Sequence, residues 1–401
     1  MTGLTPLDVA LEQVLSTAQP VSSAETVLLT SALGRTLAED VHALVDVPPY
    51  DNSAMDGYAI RAADASRHIP VSQRIPAGSA GTALEPGTAA RIFTGAPIPA
   101  GADAVVMQEN CELEGEFVRI LEAPVVGSNI RPRGQDIEAG TVVLPAGRRV
   151  RAEDLGVIAS IGVSQLSVKR RLVVAILSTG DELADPGISE LGPGQIYNSN
   201  RYTLTGLLQS HGFDVLDLGL VADDPATTRD ALSQAAEKSD CVITTGGVSV
   251  GEEDHVRSQV QSLGSLELWK LKLKPGKPLA FGRIGETVFF GLPGNPAAVY
   301  VTFAMLVRPW LLRAQGALDE PALVLSAEAD FVHDRAGMRL EFLRGRVSVE
   351  DGVSRVRLHP NQSSGVLSSV AWANALVVIE PGQTISRGDP VDILLLDQLN
   401  R

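Results

Sequence analysis

Between residues 171 and 245 the chain alternates short apolar β-branched runs with capped helical patterns, and that alternation most constrains its fold. "RLVVAILSTGDEL" reads as a buried strand ending in a turn, and "NSNRYTLTGLLQSHG" as a helix with polar caps and a terminal glycine. "FDVLDLGLV" is strand-like. "DDPATTRDALSQAAEKS" places Asp224 as N-cap with Pro225 at the first helical position, and the strand "CVITT" follows. Strands joined by helices imply a parallel sheet with right-handed crossovers. The region closes on "TVFFGLPGNP" and a long helix from Asn295.

The flanks read differently. Thr5 is a natural N-cap with Pro6 just inside, and Leu7, Leu11, Val14 and Leu15 recur at helical spacing. From about residue 47 to 139, short alternating segments between Pro and Gly turns predict a small β-rich unit. Helical pattern returns in "RAEDLGVIASIG", so the β unit reads as an insertion between two pieces of one helical domain. After residue 318 strands return, with Asp351-Gly352 between alternating arms as a hairpin signal and no evident helix; a small barrel or sandwich is expected. The expected boundaries are 1–46 with 140–171, 47–139, 172–317 and 318–401, within 401 residues that are long enough for several domains.

Composition narrows the function. A hydrophobic share of 44% supports packed cores, and aromatics at 4% make those cores mostly aliphatic. The formal charge of −15 argues against non-specific nucleic-acid binding, so any anionic ligand needs a local basic cluster or a metal. Cys111 and Cys241 lack metal-ligand spacing and fit a reducing compartment. The N-terminal segment does not resemble a signal peptide, and the longest apolar run, 297–307, stops at Arg308-Pro309. A cytoplasmic protein is expected.

Ligands of open parallel sheets bind beyond the carboxyl ends of the strands. Three predicted strands end in "STGDE", "VADDP" and "TTGGVSVGEED", which would gather Asp181, Glu182, Asp223, Asp224, Glu252, Glu253 and Asp254 at one edge. Glycine-rich turns after strands receive phosphates, yet so many carboxylates would repel one. A divalent cation such as Mg²⁺ reconciles the two, taking carboxylate and phosphate oxygens together. The competing reading is that Asp224 only caps a helix and that Glu252 and Glu253 are solvated. The glycine loop has no Walker lysine, and the cations come instead from "WKLKLKPGKP". At period two, Lys270, Lys272 and Lys274 face opposite to Trp269, Leu271 and Leu273, and Lys277 follows. Lysines on an edge strand also guard against aggregation. Pro293 and Pro296 bracket Gly294-Asn295 in a turn feeding a helix, whose free amides would suit an oxyanion, though a plain strand-to-helix turn has the same form. "NSAMDGYAI" and "RPRGQDI" offer Asp56, Arg131, Arg133 and Asp136 for an anion or metal contact, but exposed turns share that composition.

Together, "NSAMDGYA", "IRPRGQDI", "STGDEL", "GQIYNSNRY", "DDP", "TTGGVSVGEEDH", "WKLKLKPGKP" and "GLPGNPAAV" resemble, in order and across essentially the whole chain, the molybdopterin molybdenumtransferases, the MoeA and gephyrin E-domain group. The resemblance implies a multidomain α/β plus β fold. Its parts are a segmented helical dimerisation domain with an inserted β domain, a three-layer α/β molybdopterin-binding domain with a parallel-rich sheet, and a C-terminal β-barrel. It implies insertion of molybdate into adenylyl-molybdopterin with release of AMP, Mg²⁺ as cofactor, and a homodimer. A separate molybdopterin adenylyltransferase would supply the substrate. The family's functional positions fall on Asp56, Asp136, Glu182, Asp224, Asp254, Lys270, Lys274, Pro293, Pro296, Arg344 and Ser364. Substrate contacts are further expected from Thr179, Gly180, Gly246, Gly247, Ser249, Lys277, Gly294 and Asn295, and metal contacts from Asp181, Glu182 and Asp254. Asp56 and Asp136 are expected to reach the α/β site of the partner subunit. Two departures stand out: "PGNPAAV" where the family often has "PGNPVS", and a looser "HPNQSSGVLSS" in which Ser363 and Ser364 are not distinguished. A non-catalytic, molybdopterin-binding scaffold and a different Mg²⁺-dependent nucleotidyl or phosphoryl transferase are the rival readings.

Overall fold

The computed structural model describes residues 3–65, 68–187, 190–222, 224–246, 255–319 and 321–400. Asp223, Gly247, Ser249, Glu252, Glu253 and Asp254 therefore lie outside the described residues. The chain forms two compact units, one of Met1–Glu25, Gly34–Thr36 and Lys169–Arg401, the other of Thr26–Leu33 and Leu37–Val168.

The first unit carries a six-stranded sheet in the order Asp214–Val221, Val173–Thr179, Cys241–Thr245, Thr287–Leu292, Pro278–Ile284, Gly264–Lys270. The first four strands run parallel and the last two pairings are antiparallel. Two reversals return Gly264–Lys270 to the direction of the parallel strands, so Lys270 ends at the same carboxyl edge as Thr179, Val221, Thr245 and Leu292. Both sheet faces are covered. On one, Ile176, Ile243 and Phe290 pack with Leu204, Leu208 and the apolar helical stretch Pro296–Ala314; on the other, Ala175, Val242 and Phe289 pack with Leu232 and Val256. The apolar stretch is thus a core element of this unit.

The N-terminal helix spans Leu7–Ser16 and buries Ala10 and Val14 in that same core. Thr5 does not cap it. Its N–H donates to Lys270 O (2.8 Å) and its carbonyl accepts from Lys272 N–H (2.7 Å), which commits its backbone to an extended bridge. Asn198 and Asp224 do cap their helices, through Arg201 N–H (3.3 Å) and the Ala226 and Thr227 N–H groups (3.1 and 3.0 Å).

In the C-terminal part, Leu340–Glu350, Val353–Leu358, Val324–Ala329, Pro390–Leu395 and Ala375–Ile379 pair in sequence, and the last returns to the first, closing a five-strand barrel. Asp351 and Gly352 both take positive φ (53° and 79°) and turn the expected hairpin. Two short helices form where none was expected, Leu367–Trp372 between strands and Leu396–Leu399 after the last strand. Each is too brief for helical periodicity to show in a sequence.

The second unit contains a six-stranded sheet in the order Ala104–Met107, Gly57–Ile60, Ala89–Ile92, His68–Ile75, Phe117–Ile120, Cys111–Glu114, the β-rich segment expected from its turns. Its helix Ala152–Ser160 opens with Arg151 N–H donating to Asp154, which also receives the Arg148 guanidinium.

Candidate functional site

The four parallel strands end together at the carboxyl edge of the sheet. Beside them lies a cavity of about 550 Å³, lined by Gly246, Lys274, Lys277, Pro293, Gly294, Asn295 and Ser364 among the residues anticipated. The lysines stand where period two puts them. Leu271 and Leu273 are buried, Lys270 and Lys274 exposed, and Lys272 is intermediate. Lys274 and Lys277 line the cavity; Lys270 ends its strand just before them.

Gly246 follows Thr245 with φ +82°, a left-handed conformation that a side chain would strain, and its N–H donates to Leu292 O (3.2 Å). That bond ties the glycine loop to the PGNP loop. The PGNP turn is more occupied than its sequence suggested. Ala297 N–H donates to Ser364 O (2.9 Å), and the Ala298 and Val299 N–H groups donate to Asn295 O (both 3.0 Å). These three helix amides are committed, which leaves the backbone N–H groups of Gly294 and Asn295, together with side chains, to face a ligand. The Asn200 side chain, in the otherwise unassigned "YNSN" motif, donates to Gly294 O (2.7 Å) and braces the turn.

Ser363 and Ser364 both line the cavity. Behind them Arg344 is 0% exposed and does not line it. Its Nε donates to Ser369 Oγ (3.0 Å), Nη2 to Ser363 O (3.2 Å) and Nη1 to Phe342 O (3.4 Å). No carboxylate pairs with it among the described residues, and burial pushes its pKa down to about 10. The group remains a cation at neutral pH, held without a counter-ion directly behind the Ser363 carbonyl.

At the end of Val173–Thr179, buried Thr179 leads into Gly180, and the Glu182 carboxylate folds back over it. A Cβ on Gly180 would stand 2.5 Å from Glu182 Oε2. Asp181 and Glu182 are exposed, and neither forms an ion pair among the described residues. Two unpaired carboxylates on consecutive residues at a sheet edge are a donor set a hard divalent cation accepts. Among the described residues no three acidic, His or Cys side chains form a metal cluster, and the third expected ligand, Asp254, is not one of them. The Asp224 carboxylate is engaged as a helix cap, and the hydrogen bonds from Thr227 and Ala226 hold its pKa down.

In the second unit Asp56 Oδ1 accepts from Thr94 N–H and Oγ1–H, both at 2.8 Å, and these bonds lower its pKa. The strand pair Ile130–Arg131 and Asn52–Ser53 brings the "NSAMDGY" and "RPRGQDI" motifs together. The Arg133 guanidinium pairs with Asp46, and its backbone N–H donates to Asp51 Oδ1 (2.8 Å). Arg131 and Asp136 are exposed.

Gln362 and Arg339 also line the cavity and were not singled out beforehand. Gln362 lies in the "HPNQSSG" stretch and brackets the Arg344 backbone, its Oε1 accepting from Arg344 N–H and its Nε2 donating to Arg344 O, both at 2.9 Å. Arg339 sits in a loop with no local pattern to mark it.

With this geometry in place, comparisons with known proteins agree along the whole chain. Residues 5–162 match the MoeA N-terminal region (domain I and II), 175–313 a probable molybdopterin binding domain, and 327–396 the MoeA C-terminal region (domain IV). The chain is 38% identical over 394 residues to a molybdopterin molybdenumtransferase of Haemophilus influenzae, covering 96% of this chain and 97% of the relative. It is 40% identical over 389 residues to one of Nostoc sp., covering 93% and 88%. The crystal structure of a molybdopterin biosynthesis moeA protein from Pyrococcus horikoshii OT3 superposes with a TM-score of 0.85 at 30% identity, covering 98% of this chain and 100% of that one. The chain belongs to the molybdopterin molybdenumtransferase (MoeA) family.

Proposed function

We propose that this protein is a cytoplasmic molybdenum-inserting transferase that converts adenylyl-molybdopterin and molybdate to molybdenum-molybdopterin and AMP. The observation that carries the reading is the cavity itself. In a chain of net charge −15, Lys274, Lys277 and Arg339 line a cavity with serine and amide side chains beside a parallel-sheet edge, and behind its wall lies a buried arginine with no counter-ion among the described residues. Such a site suits a ligand that is anionic at more than one place.

In this reading Lys270, Lys274 and Lys277 bind the phosphates and stabilise the charge that develops as the phosphoanhydride to AMP breaks. Thr179, Gly180 and Gly246, at the carboxyl edge of the sheet, lie on the side of the pterin phosphate, and Gly247 and Ser249, outside the described residues, are further substrate contacts. Molybdate, a tetrahedral dianion, takes the side of Lys274, Ser364 and the Pro293–Pro296 turn, with the Arg344 charge behind it. The dithiolene sulfurs of the substrate become the molybdenum ligands. Protein thiols are unsuited to that role, since burial raises the pKa of both Cys111, to about 11, and Cys241. Mg²⁺, when bound, would neutralise phosphate charge; Asp181 and Glu182 fit it, with Asp254 as the further ligand. The protein acts as a homodimer in which Asp56 and Asp136 serve the partner subunit's α/β site, and a separate adenylyltransferase supplies the substrate.

Anaerobic incubation with adenylyl-molybdopterin and molybdate should generate a pterin that reactivates a cofactor-free molybdoenzyme. Tight pterin binding with no reactivation would make the chain a carrier and overturn the reading.

A further inference from the structure

Lys274 stands on the wall between two cavities. One is the candidate site; the other, about 400 Å³, is lined by residues 332–339 together with Lys274 and Glu341. A lysine has a flexible four-carbon stem and an ammonium that follows whichever anion is nearest. Something must therefore decide which cavity the charge serves. Glu341 is only 4% exposed, and its Oε2 accepts from Lys274 Nζ at 2.9 Å. The two residues are register partners in the parallel pairing of Leu273–Lys274 with Leu340–Glu350. Two further bonds fix the backbones that carry them: Leu340 N–H donates to Lys272 O (3.0 Å), and Arg339 Nη1 to Leu273 O (3.3 Å). Room for the carboxylate comes from Gly337, where a Cβ would stand 2.7 Å from Glu341 Oε1. A buried carboxylate needs a compensating cation, and Lys274 is its one ion-pair partner among the described residues.

We propose that Glu341 is a positioning residue: its buried carboxylate holds the Lys274 ammonium at the rim of the candidate site, trading some of the lysine's net attraction for anions against a fixed geometry. Two consequences follow. Removing Glu341 frees a cation, so binding of anionic substrate is kept while the alignment needed for reaction is lost. Removing Lys274 instead leaves a buried negative charge beside the anion site, a heavier defect than the loss of one cation.

The kinetic consequence rests on the function proposed above; the pairing itself does not. In AMP release from adenylyl-molybdopterin, Glu341→Gln should lower kcat by about 10- to 100-fold, the scale of a misplaced catalytic group. Its KM should stay equal to or below that of the wild type, and Glu341→Asp, which keeps the charge on a shorter arm, should recover part of kcat. A wild-type kcat in Glu341→Gln, or a KM that rises in step with the fall in kcat, would overturn the proposal. Without any substrate, denaturation of Lys274→Ala, Glu341→Gln and the double variant tests the pair. Lys274→Ala should be destabilised and Glu341→Gln should restore stability in that background. Additive losses would refute the pairing even if turnover behaved as expected. A wild type that releases no AMP while the rescue holds would sink the function and leave the ion pair standing.

Discussion

Replacing Arg344 by Met separates a binding arginine from a structural one. Met approximates the aliphatic length of the side chain and carries no charge. The variant loses the bonds to Ser369 Oγ and Ser363 O and the weaker one to Phe342 O. Hydrogen bonds from a charged donor contribute about 1.5–3 kcal/mol each, so roughly 3–6 kcal/mol is lost with the two shorter ones. Against this stands the desolvation of an unpaired buried cation, several kcal/mol per ion. The two nearly cancel, and stability should change by no more than about 2 kcal/mol. Anion binding has no such offset. For a dianion and the guanidinium separated by on the order of 8 Å, Coulomb's law at an effective dielectric of 20 gives about 4 kcal/mol. Screening over one Debye length leaves about 1.5 kcal/mol, or roughly tenfold in affinity. Calorimetric titration with molybdate, alongside urea denaturation, reads both quantities. A variant that loses more than about 3 kcal/mol of stability and binds molybdate as the wild type does would show that Arg344 only holds the barrel loop and takes no part in anion binding.

Three other outcomes are expected. Gly276 has φ +115° and a Cβ there would meet Thr302 Oγ1 at 2.6 Å, so Gly276→Ala should cost about 2–5 kcal/mol from strain and overpacking together; adding Thr302→Ala should recover only the steric share, as denaturant midpoints will show. Burial tends to raise the pKa of Asp240, but the bidentate Arg170 and the Val173 amide outweigh it and hold the value below the usual range. Its stabilisation is therefore complete above the unfolded carboxylate pKa and disappears as pH falls through the lowered folded value, and Asp240→Asn should flatten the acid limb of a Tm-against-pH curve. Asp224→Asn should keep the helix cap; if it also keeps AMP release, Asp224 is a cap, whereas loss of turnover at unchanged stability assigns it to the chemistry.

The parts of the fold legible in the sequence are those whose signals are local. Parallel strands showed as β-branched runs ending in Gly, Asp or Pro, the Asp351-Gly352 turn carried its own hairpin, and the period-two lysines needed only their neighbours. What escaped depends on residues far apart in the chain. Nothing near Thr5 reveals that its backbone pairs with Lys270 and Lys272, and that pairing overrode a good capping sequence. Lys274 and Glu341 are 67 residues apart and meet only because a barrel strand docks beside the lysine loop. Arg344 was expected among the substrate contacts by resemblance and is buried behind the cavity wall, a placement that a short motif on a barrel strand does not reveal. The Ala297 amide looked free because its acceptor, Ser364 O, comes from a distant part of the chain.

Under the proposed function, insertion of molybdate drives release of AMP. It is tested most directly by measuring AMP formed from anaerobically prepared adenylyl-molybdopterin and Mg²⁺, with and without molybdate. Release that requires molybdate and is abolished in Asp254→Asn is the result expected. Release at the same rate without molybdate, or none under either condition despite tight binding, would contradict it.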